Sequence, residues 1–149
     1  MSGEAALWAY VRNGMRGRWS VQRHEDRMTA GIPDLSYAID GADGWIELKS
    51  MAAWPVRPGT RVDVGITPEQ VLWAEQRGAA GSGRCFVLIR VGREHLLVRW
   101  NRARNLLRET ITKDEVRAIA EGGWSPGIDW PFFAYMLATA CDDKEIRND

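Results

Sequence analysis

The stretch GIPDLSYAIDGADGWIELKS, residues 31–50, decides the fold of this 149-residue chain. Two runs within it, residues 34–40 and 45–50, are rich in residues typical of β-strands. The short polar and glycine-containing run between them, residues 41–44, predicts a hairpin turn. The sequence therefore predicts an antiparallel pair of strands at this point.

The charged residues of this hairpin fall at one place. Side chains alternate between the two faces of a strand, so Trp45, Glu47 and Lys49 share one face. Asp34 begins the first strand, far from the turn, where an antiparallel partner brings Glu47 and Lys49. Unpaired charges are rarely buried, so this face is either wet surface or a site for ions.

The elements around the hairpin alternate between helix and strand. Thr67, Pro68 and Gln70 carry a capping-box signature for a helix that we expect to end at Gly78. The other predicted elements are a helix over residues 3–13, strands over 18–24, 84–92 and 94–100, an irregular connection over 51–66, and helices within 110–123, capped by Thr112, and over 130–141. The order predicts an α/β fold, with a mixed central sheet flanked by helices.

Composition indicates an ordinary globular chain. Net charge is zero, with 20 basic and 20 acidic residues, but 17 of the basic residues are arginine, which favours phosphate contacts. A GC-rich genome would give the same bias. The two cysteines are too few for a disulfide framework or zinc set, and Cys85 and Cys141 are predicted core residues. Without a signal peptide or membrane span, we expect a cytoplasmic protein.

The chemistry of Asp34, Glu47 and Lys49 suits phosphodiester hydrolysis. Two neighbouring carboxylates repel unless a proton or a cation lies between them. Carboxylate oxygens suit Mg²⁺ or Mn²⁺, which activates water and neutralises phosphoryl charge. A lysine beside them orients the attacking water or holds the phosphate.

These residues resemble the PD-(D/E)XK nuclease motif, with Pro33-Asp34 followed by Glu47-Leu48-Lys49. The GIPDLSY context and the TPEQ helix start are similar to the VRR-NUC branch, often carried by phages, and to archaeal Holliday-junction resolvases. The resemblance implies a restriction-endonuclease-like core over residues 3–100. In this view residues 1–149 form one nuclease domain, with C-terminal helices over 112–141 and an acidic tail over 142–149.

The resemblance also implies a role for each matched residue. Asp34 and Glu47 would bind the metal directly, Leu48 through its backbone carbonyl, and Glu4 through water. Lys49 would position the nucleophilic water. Gln70 would orient Lys49 or the scissile phosphate, although a capping box alone explains a glutamine there.

Further residues are candidates for nucleic-acid contact. Trp19 and Trp54 have arginines nearby and are expected to stack on bases. A basic N-terminal run would track phosphates, unless it is a solvated face; it consists of Arg12, Arg16, Arg18, Arg23 and Arg27.

The resulting hypothesis is a Mg²⁺-dependent DNA endonuclease, acting on structured or branched DNA, for which Mn²⁺ would substitute. Resolvases of similar type act as homodimers, because a four-way junction has two symmetric strands to cut. The alternatives are a non-catalytic nucleic-acid-binding or regulatory module on a nuclease-like fold, and an unrelated α/β interaction protein. The last predicts that Asp34 and Glu47 lie apart.

Overall fold

A computed structural model describes residues 2–25 and 29–139. It consists of a central sheet with helices on both faces, which confirms the predicted α/β class. The helices are α1 (Gly3–Gly14), α2 (Pro68–Ala80), α3 (Lys113–Ile119) and α4 (Trp130–Ala138), with a 3₁₀ segment at Trp100–Leu107. The strands are β1 (Ser20–Arg23), β2 (Leu35–Ile39), β3 (Ala42–Met51), β4 (Cys85–Val91), β5 (Glu94–Arg99) and β6 (Gly122–Trp124).

The six strands lie in the sheet in chain order, from β1 to β6. The pair β3–β4 is parallel, and the other four neighbouring pairs are antiparallel. Parallel neighbours need a long crossover, which residues 52–67 and α2 supply. The sheet is therefore mixed, and β3 lies inside it rather than at an edge.

The hairpin turn lies earlier than residues 41–44. Ile39 pairs with Ala42, so the two turn residues are Asp40 and Gly41. Both have positive φ, 49° and 81°, as a two-residue type I′ turn requires. Asp-Gly meets that demand because glycine has no Cβ and aspartate tolerates the left-handed region.

A hydrophobic core lies on each face of the sheet. The first core packs Leu7 of α1 and Phe133 and Leu137 of α4 against Ile46 and Leu48 of β3. The second core packs helices and loops of the opposite face against β4 and β5, and its members include Val71, Val87, Ile89, Val98 and Val116. The alternation predicted for β3 is confirmed, because Ile46 and Leu48 point into the first core whereas Glu47 and Lys49 lie on the opposite face.

Three local predictions were wrong. Helix α2 does not end at Gly78 but continues to Ala80. Gly78 is a point of close approach, since a Cβ there would lie 2.3 Å from the Trp100 ring. The 3₁₀ segment and β6 were missed; β6 has three residues, two of them glycine, and so carries no strand pattern.

The last helix is buried on one side and exposed on the other. Phe133 and Leu137 lie in the first core, whereas Phe132 and Tyr135 remain 49% and 62% exposed. Cys85 is buried as predicted, and Cys141 lies outside the described residues. In the described ranges, no helix combines the length and apolarity needed to cross a membrane.

His95 is expected to make stability acid-sensitive. It is 2% exposed and stacks on Tyr10 with ring centroids 5.0 Å apart. Burial, with a smaller effect of Arg90, lowers the pKa of His95 from 6.5 to about 4. Between pH 6.5 and 4, His95 is protonated in the unfolded chain but stays neutral in the folded protein. The stabilisation is therefore complete above pH 6.5 and is lost as pH falls through 4.

Urea unfolding of the wild type and His95→Phe at pH 7, 5.5 and 4.5 checks this expectation. Phenylalanine keeps an aromatic ring against Tyr10 but cannot titrate. We expect the free energy of unfolding to fall less with acid in the variant. Equal pH dependence of the two proteins would show that the acid sensitivity comes from other groups.

Candidate functional site

The hairpin register brings Asp34 to the middle of β3. Leu35 pairs with Ile46, so Asp34, one residue before β2, lies beside Glu47 and Leu48. The Leu48 backbone N–H donates a hydrogen bond of 2.8 Å to Asp34 Oδ2. This contact fixes the carboxylate against the strand that carries the second acid.

Glu47 and Lys49 are buried together on the α2 face of β3. Each is only 6% exposed, and Lys49 Nζ lies 3.4 Å from Glu47 Oε1. Their strand is held between β2 and β4, where Glu47 pairs with Val87. The E-x-K segment is therefore not a solvated surface pair, which was the competing interpretation of the sequence.

Gln70 joins the start of α2 to this cluster. Its Oε1 accepts the Thr67 backbone N–H at 3.0 Å, which closes the predicted capping box. Its Nε2 donates to Glu47 Oε1 at 3.1 Å. One side-chain amide thus satisfies the helix end with its oxygen and holds the buried glutamate with its nitrogen, so the two interpretations of Gln70 are compatible.

Glu4 lies at the rim of the cluster. It belongs to the first turn of α1, whose N-terminus comes so close to Ser50 that a Cβ on Gly3 would lie 2.9 Å from Ser50 Oγ. The nearest charged contact of its carboxylate is Lys49, with 4.0 Å between Glu4 Oε1 and Nζ. The side chain is about half exposed, at 53%. Glu4 is therefore nearby but does not touch the other two acids.

The cluster carries more negative than positive charge. Burial, and after it the neighbouring Asp34, raise the pKa of Glu47 to about 8, because Lys49 offsets only part of the rise. A buried carboxylate that resists ionisation has too little positive charge around it. Either a proton or a cation completes such a site.

The donor atoms fit a single hard cation. Glu47 Oε2 is buried and has no hydrogen-bond partner among the described residues. Carboxylate oxygens of this kind suit Mg²⁺ or Mn²⁺. Over residues 2–25 and 29–139, no group of three or more His, Cys, Asp and Glu side chains is arranged to hold a metal. A cation here would depend on two carboxylates, backbone oxygen and water.

The predicted nucleic-acid residues have mixed surroundings. Arg12, Arg16, Arg18 and Arg23 are all exposed, and Arg27 lies outside the described residues. Trp19 packs against the first core, 6.0 Å from the Tyr37 ring.

Trp54 is occupied by protein contacts. Its Nε1 donates to Glu94 Oε1 at 2.9 Å, and the Arg117 guanidinium lies 5.5 Å from its ring. Neither Trp19 nor Trp54 presents a fully open ring for a base.

Sequence reasoning missed an aromatic and basic group next to the acids. Trp45 lies two residues before Glu47 on the same face of β3, and Trp73 meets it edge-on at 5.0 Å. The Arg77 guanidinium lies over both rings. The signal was present in α2, because Gln70, Trp73 and Arg77 are spaced i, i+3 and i+7 on one helix face.

The two roles of Gln70 can be separated by mutation. In Gln70→Glu, one carboxylate oxygen still caps Thr67 N–H, but the other faces Glu47 and repels it. We expect any hydrolytic activity of this cluster to fall about tenfold or more, since a hydrogen bond to a charged group contributes about 1.5–3 kcal/mol. Thermal unfolding should change little, and both quantities are measured on the same preparation.

Thr67→Ala is the matched variant for that experiment. It removes the oxygen that accepts the Gln70 backbone N–H, at a cost of about 1 kcal/mol in stability. Activity well below the melting temperature should persist, because the Gln70–Glu47 contact remains. If Gln70→Glu and Thr67→Ala lose activity and stability in the same proportion, Gln70 serves only as a cap.

Comparisons with known proteins yield structural likenesses but no sequence match. No protein-family model and no curated protein sequence matches this chain. Among solved structures, the fold is similar to Hjc, a Holliday junction resolvase of the archaeal hyperthermophile Archaeoglobus fulgidus, with 12% identity and a TM-score of 0.44. The likeness covers 66% of this chain and 70% of that chain. At that identity and score it says nothing about activity, which has to be argued from the side chains.

Proposed function

We propose that this protein is a divalent-metal-dependent DNA endonuclease. One observation carries the proposal: Asp34, Glu47 and Lys49 converge on one face of the sheet. Glu47 and Lys49 are buried there, and one oxygen of Glu47 has no partner within residues 2–25 and 29–139. An unrelated interaction protein has no reason to bury this uncompensated set, because it costs stability. Stability is commonly sacrificed in this way at active sites.

Asp34, Glu47 and the Leu48 carbonyl would hold the cation, with Glu4 contributing through water. When bound, Mg²⁺ or Mn²⁺ lowers the pKa of water and neutralises charge on a phosphoryl oxygen. The cation would also favour the ionised form of Glu47, whose pKa burial and the neighbouring Asp34 raise to about 8. The burial of Glu47 would then favour cation binding rather than protonation.

The chain's own residues would supply orientation and positive charge. Lys49 Nζ would donate hydrogen bonds to the attacking water and to a phosphoryl oxygen, and its charge would stabilise the developing negative charge. Gln70 would keep Glu47 in position through Nε2. The motif resemblance implies hydrolysis to a 5′-phosphate and a 3′-hydroxyl.

DNA is the substrate that the proposal assigns. Four arginines that precede Asp34 in the sequence are exposed, as contacts to a phosphate backbone require; they are Arg12, Arg16, Arg18 and Arg23. Contacts of this kind read no sequence, so binding should weaken with salt and show little sequence preference. Branched DNA and a homodimer follow from the motif resemblance, and cleavage and mass measurements test them separately.

A panel of labelled DNAs tests the function. The protein is incubated with a four-way junction, a flap, a duplex and a single strand, in Mg²⁺, Mn²⁺ or EDTA. The proposal expects cleavage with either metal and none with EDTA. Binding without cleavage under every metal would instead identify a nucleic-acid-binding module.

A further inference from the structure

Helix α2 extends the candidate site along the sheet. Gln70, which holds Glu47, is followed on the same helix face by Trp73 and Arg77. These two side chains lie over Trp45, at the next position of β3 on the Glu47 face. Two residues of a strand span about 7 Å, so Trp45 is one short step from the carboxylates.

Arg77 is held in place but has no acidic partner. Its guanidinium carbon lies 5.2 Å from the Trp45 ring centroid and 5.6 Å from that of Trp73. Among the described residues no carboxylate oxygen lies within 4.0 Å of it, whereas Arg104 and Arg108 each pair with a glutamate. Stacking on rings restricts the guanidinium plane and leaves its N–H edge free to donate.

A groove of about 690 Å³ opens beside Arg77 on the surface of β1, β2 and β3. Hydrogen-bonding side chains are prominent on its floor, and its lining includes Ser20, Gln22, Ser36, Asp43, Trp45 and Arg77. His24 borders it, with Nε2 2.7 Å from Ser36 Oγ and its ring 5.2 Å from that of Trp45. The groove thus continues from Asp34, whose backbone carbonyl accepts the His24 N–H.

We propose that this groove binds unpaired nucleotides of the substrate strand, next to the bond that is cut. The inference rests on the proposed nuclease function and specifies its substrate. Arg77 would bind one phosphate in a bidentate manner, and a base would contact the edges of the Trp45 and His24 rings that Arg77 and Trp73 leave uncovered. Aromatic side chains reach base faces only where bases are unstacked.

A duplex fits the groove less well. Binding to a duplex backbone relies on several cations that neutralise phosphates on both strands. Among the described residues that line the groove, Arg77 is the single cationic one, and the negative charge of Asp43 offsets it. Serine and glutamine side chains instead suit the sugar and base edges of one strand. The groove therefore favours a single-stranded segment at the cleavage point over continuous duplex.

Fluorescence anisotropy in EDTA measures binding without cleavage. The probes are a labelled single-stranded oligonucleotide and a blunt duplex of the same sequence. We expect Arg77→Ala to weaken binding of the single strand about tenfold and of the duplex less than twofold, because one charge-assisted bidentate contact is lost. Arg77→Lys should recover only part of the loss, since lysine keeps the charge without the planar donor edge.

Arg102→Ala is the matched control. Arg102 is exposed on the 3₁₀ segment, lies outside the groove lining, and its removal changes net charge by the same amount. It should alter both affinities less than twofold. Melting temperatures of all variants show whether each is folded; should Arg77→Ala be unfolded, the comparison of Arg77→Lys with the wild type decides.

The outcomes separate this inference from the proposed function. The groove proposal is wrong, even if the protein cuts DNA, if Arg77→Ala and Arg102→Ala lose equal affinity. It is also wrong if Arg77→Ala loses equal affinity for the single strand and the duplex. Arg77-dependent binding of the single strand without metal-dependent cleavage supports the groove and overturns the nuclease. If neither probe binds, the proposal that the groove binds single strands is wrong. The cleavage panel then tests the proposed nuclease function by itself.

Discussion

Asp34→Asn is expected to reduce metal-dependent cleavage about 100- to 1000-fold, the usual cost of removing one preorganised electrostatic contact. Asparagine has the same size and retains an oxygen that accepts the Leu48 N–H, so the hairpin should keep its geometry. What disappears is one of the two negative charges that would hold the cation. The measurement is the single-turnover cleavage rate of a labelled DNA in Mg²⁺, beside a thermal unfolding curve.

Asp63→Asn provides the matched control. Asp63 also accepts a backbone N–H through its carboxylate, that of Gly65 at 2.9 Å, but it lies in the exposed connection before α2. Its variant should cleave like the wild type. If Asp34→Asn cleaves DNA at the wild-type rate, Asp34 is not part of the site. If the cleavage rates of both variants fall equally, the cause is a general effect of charge.

Gly78→Ala is expected to destabilise the protein by about 1–3 kcal/mol, the usual range for overpacking. On an exposed helix surface the same change would stabilise by about 1 kcal/mol, because alanine is the better helix former. At Gly78 the added Cβ would lie 2.3–2.5 Å from three atoms of the Trp100 ring. Urea unfolding measures the sign as well as the size of the effect.

Repeating that substitution in a Trp100→Ala background identifies its cause. With the indole removed, the added methyl group meets open space, and Gly78→Ala should become neutral or stabilising. The difference between the two backgrounds is the coupling between the residues. A destabilisation of equal size in both backgrounds would mean that contact with Trp100 is not the reason for glycine at this position.

The core of the candidate site could be predicted from local rules. Strand alternation places Glu47 and Lys49 on one face, and antiparallel pairing brings Asp34 to the same end of the hairpin. The exact pairing depends on the turn: the two-residue turn at Asp40 and Gly41 sets Asp34 opposite Glu47, whereas a turn over residues 41–44 would set it opposite Met51. The Gln70 cap follows from the sequence TPEQ alone. These inferences use spacings within one or two elements, where stereochemistry leaves few choices.

Contacts between distant elements were not predictable in this way. The helix-breaking tendency of Gly78 was overridden by packing against Trp100, 22 residues later. Strand β6 exists because β5 offers a free edge, not because Gly122 and Gly123 favour strands. The position of Arg77 over Trp45 depends on how α2 crosses the sheet, which its own sequence does not specify.

The shared use of the Gln70 side chain ties the position of Glu47 to local opening of helix α2. When the first turn of α2 frays, the amide that holds Glu47 leaves with it, although the sheet remains intact. Helix termini open far more often than whole domains unfold. Warming should therefore abolish the proposed activity at a temperature below that of unfolding. Hydrogen exchange at the backbone amides of Gln70 and Val71 should report the fraction of molecules in which the first turn of α2 is closed.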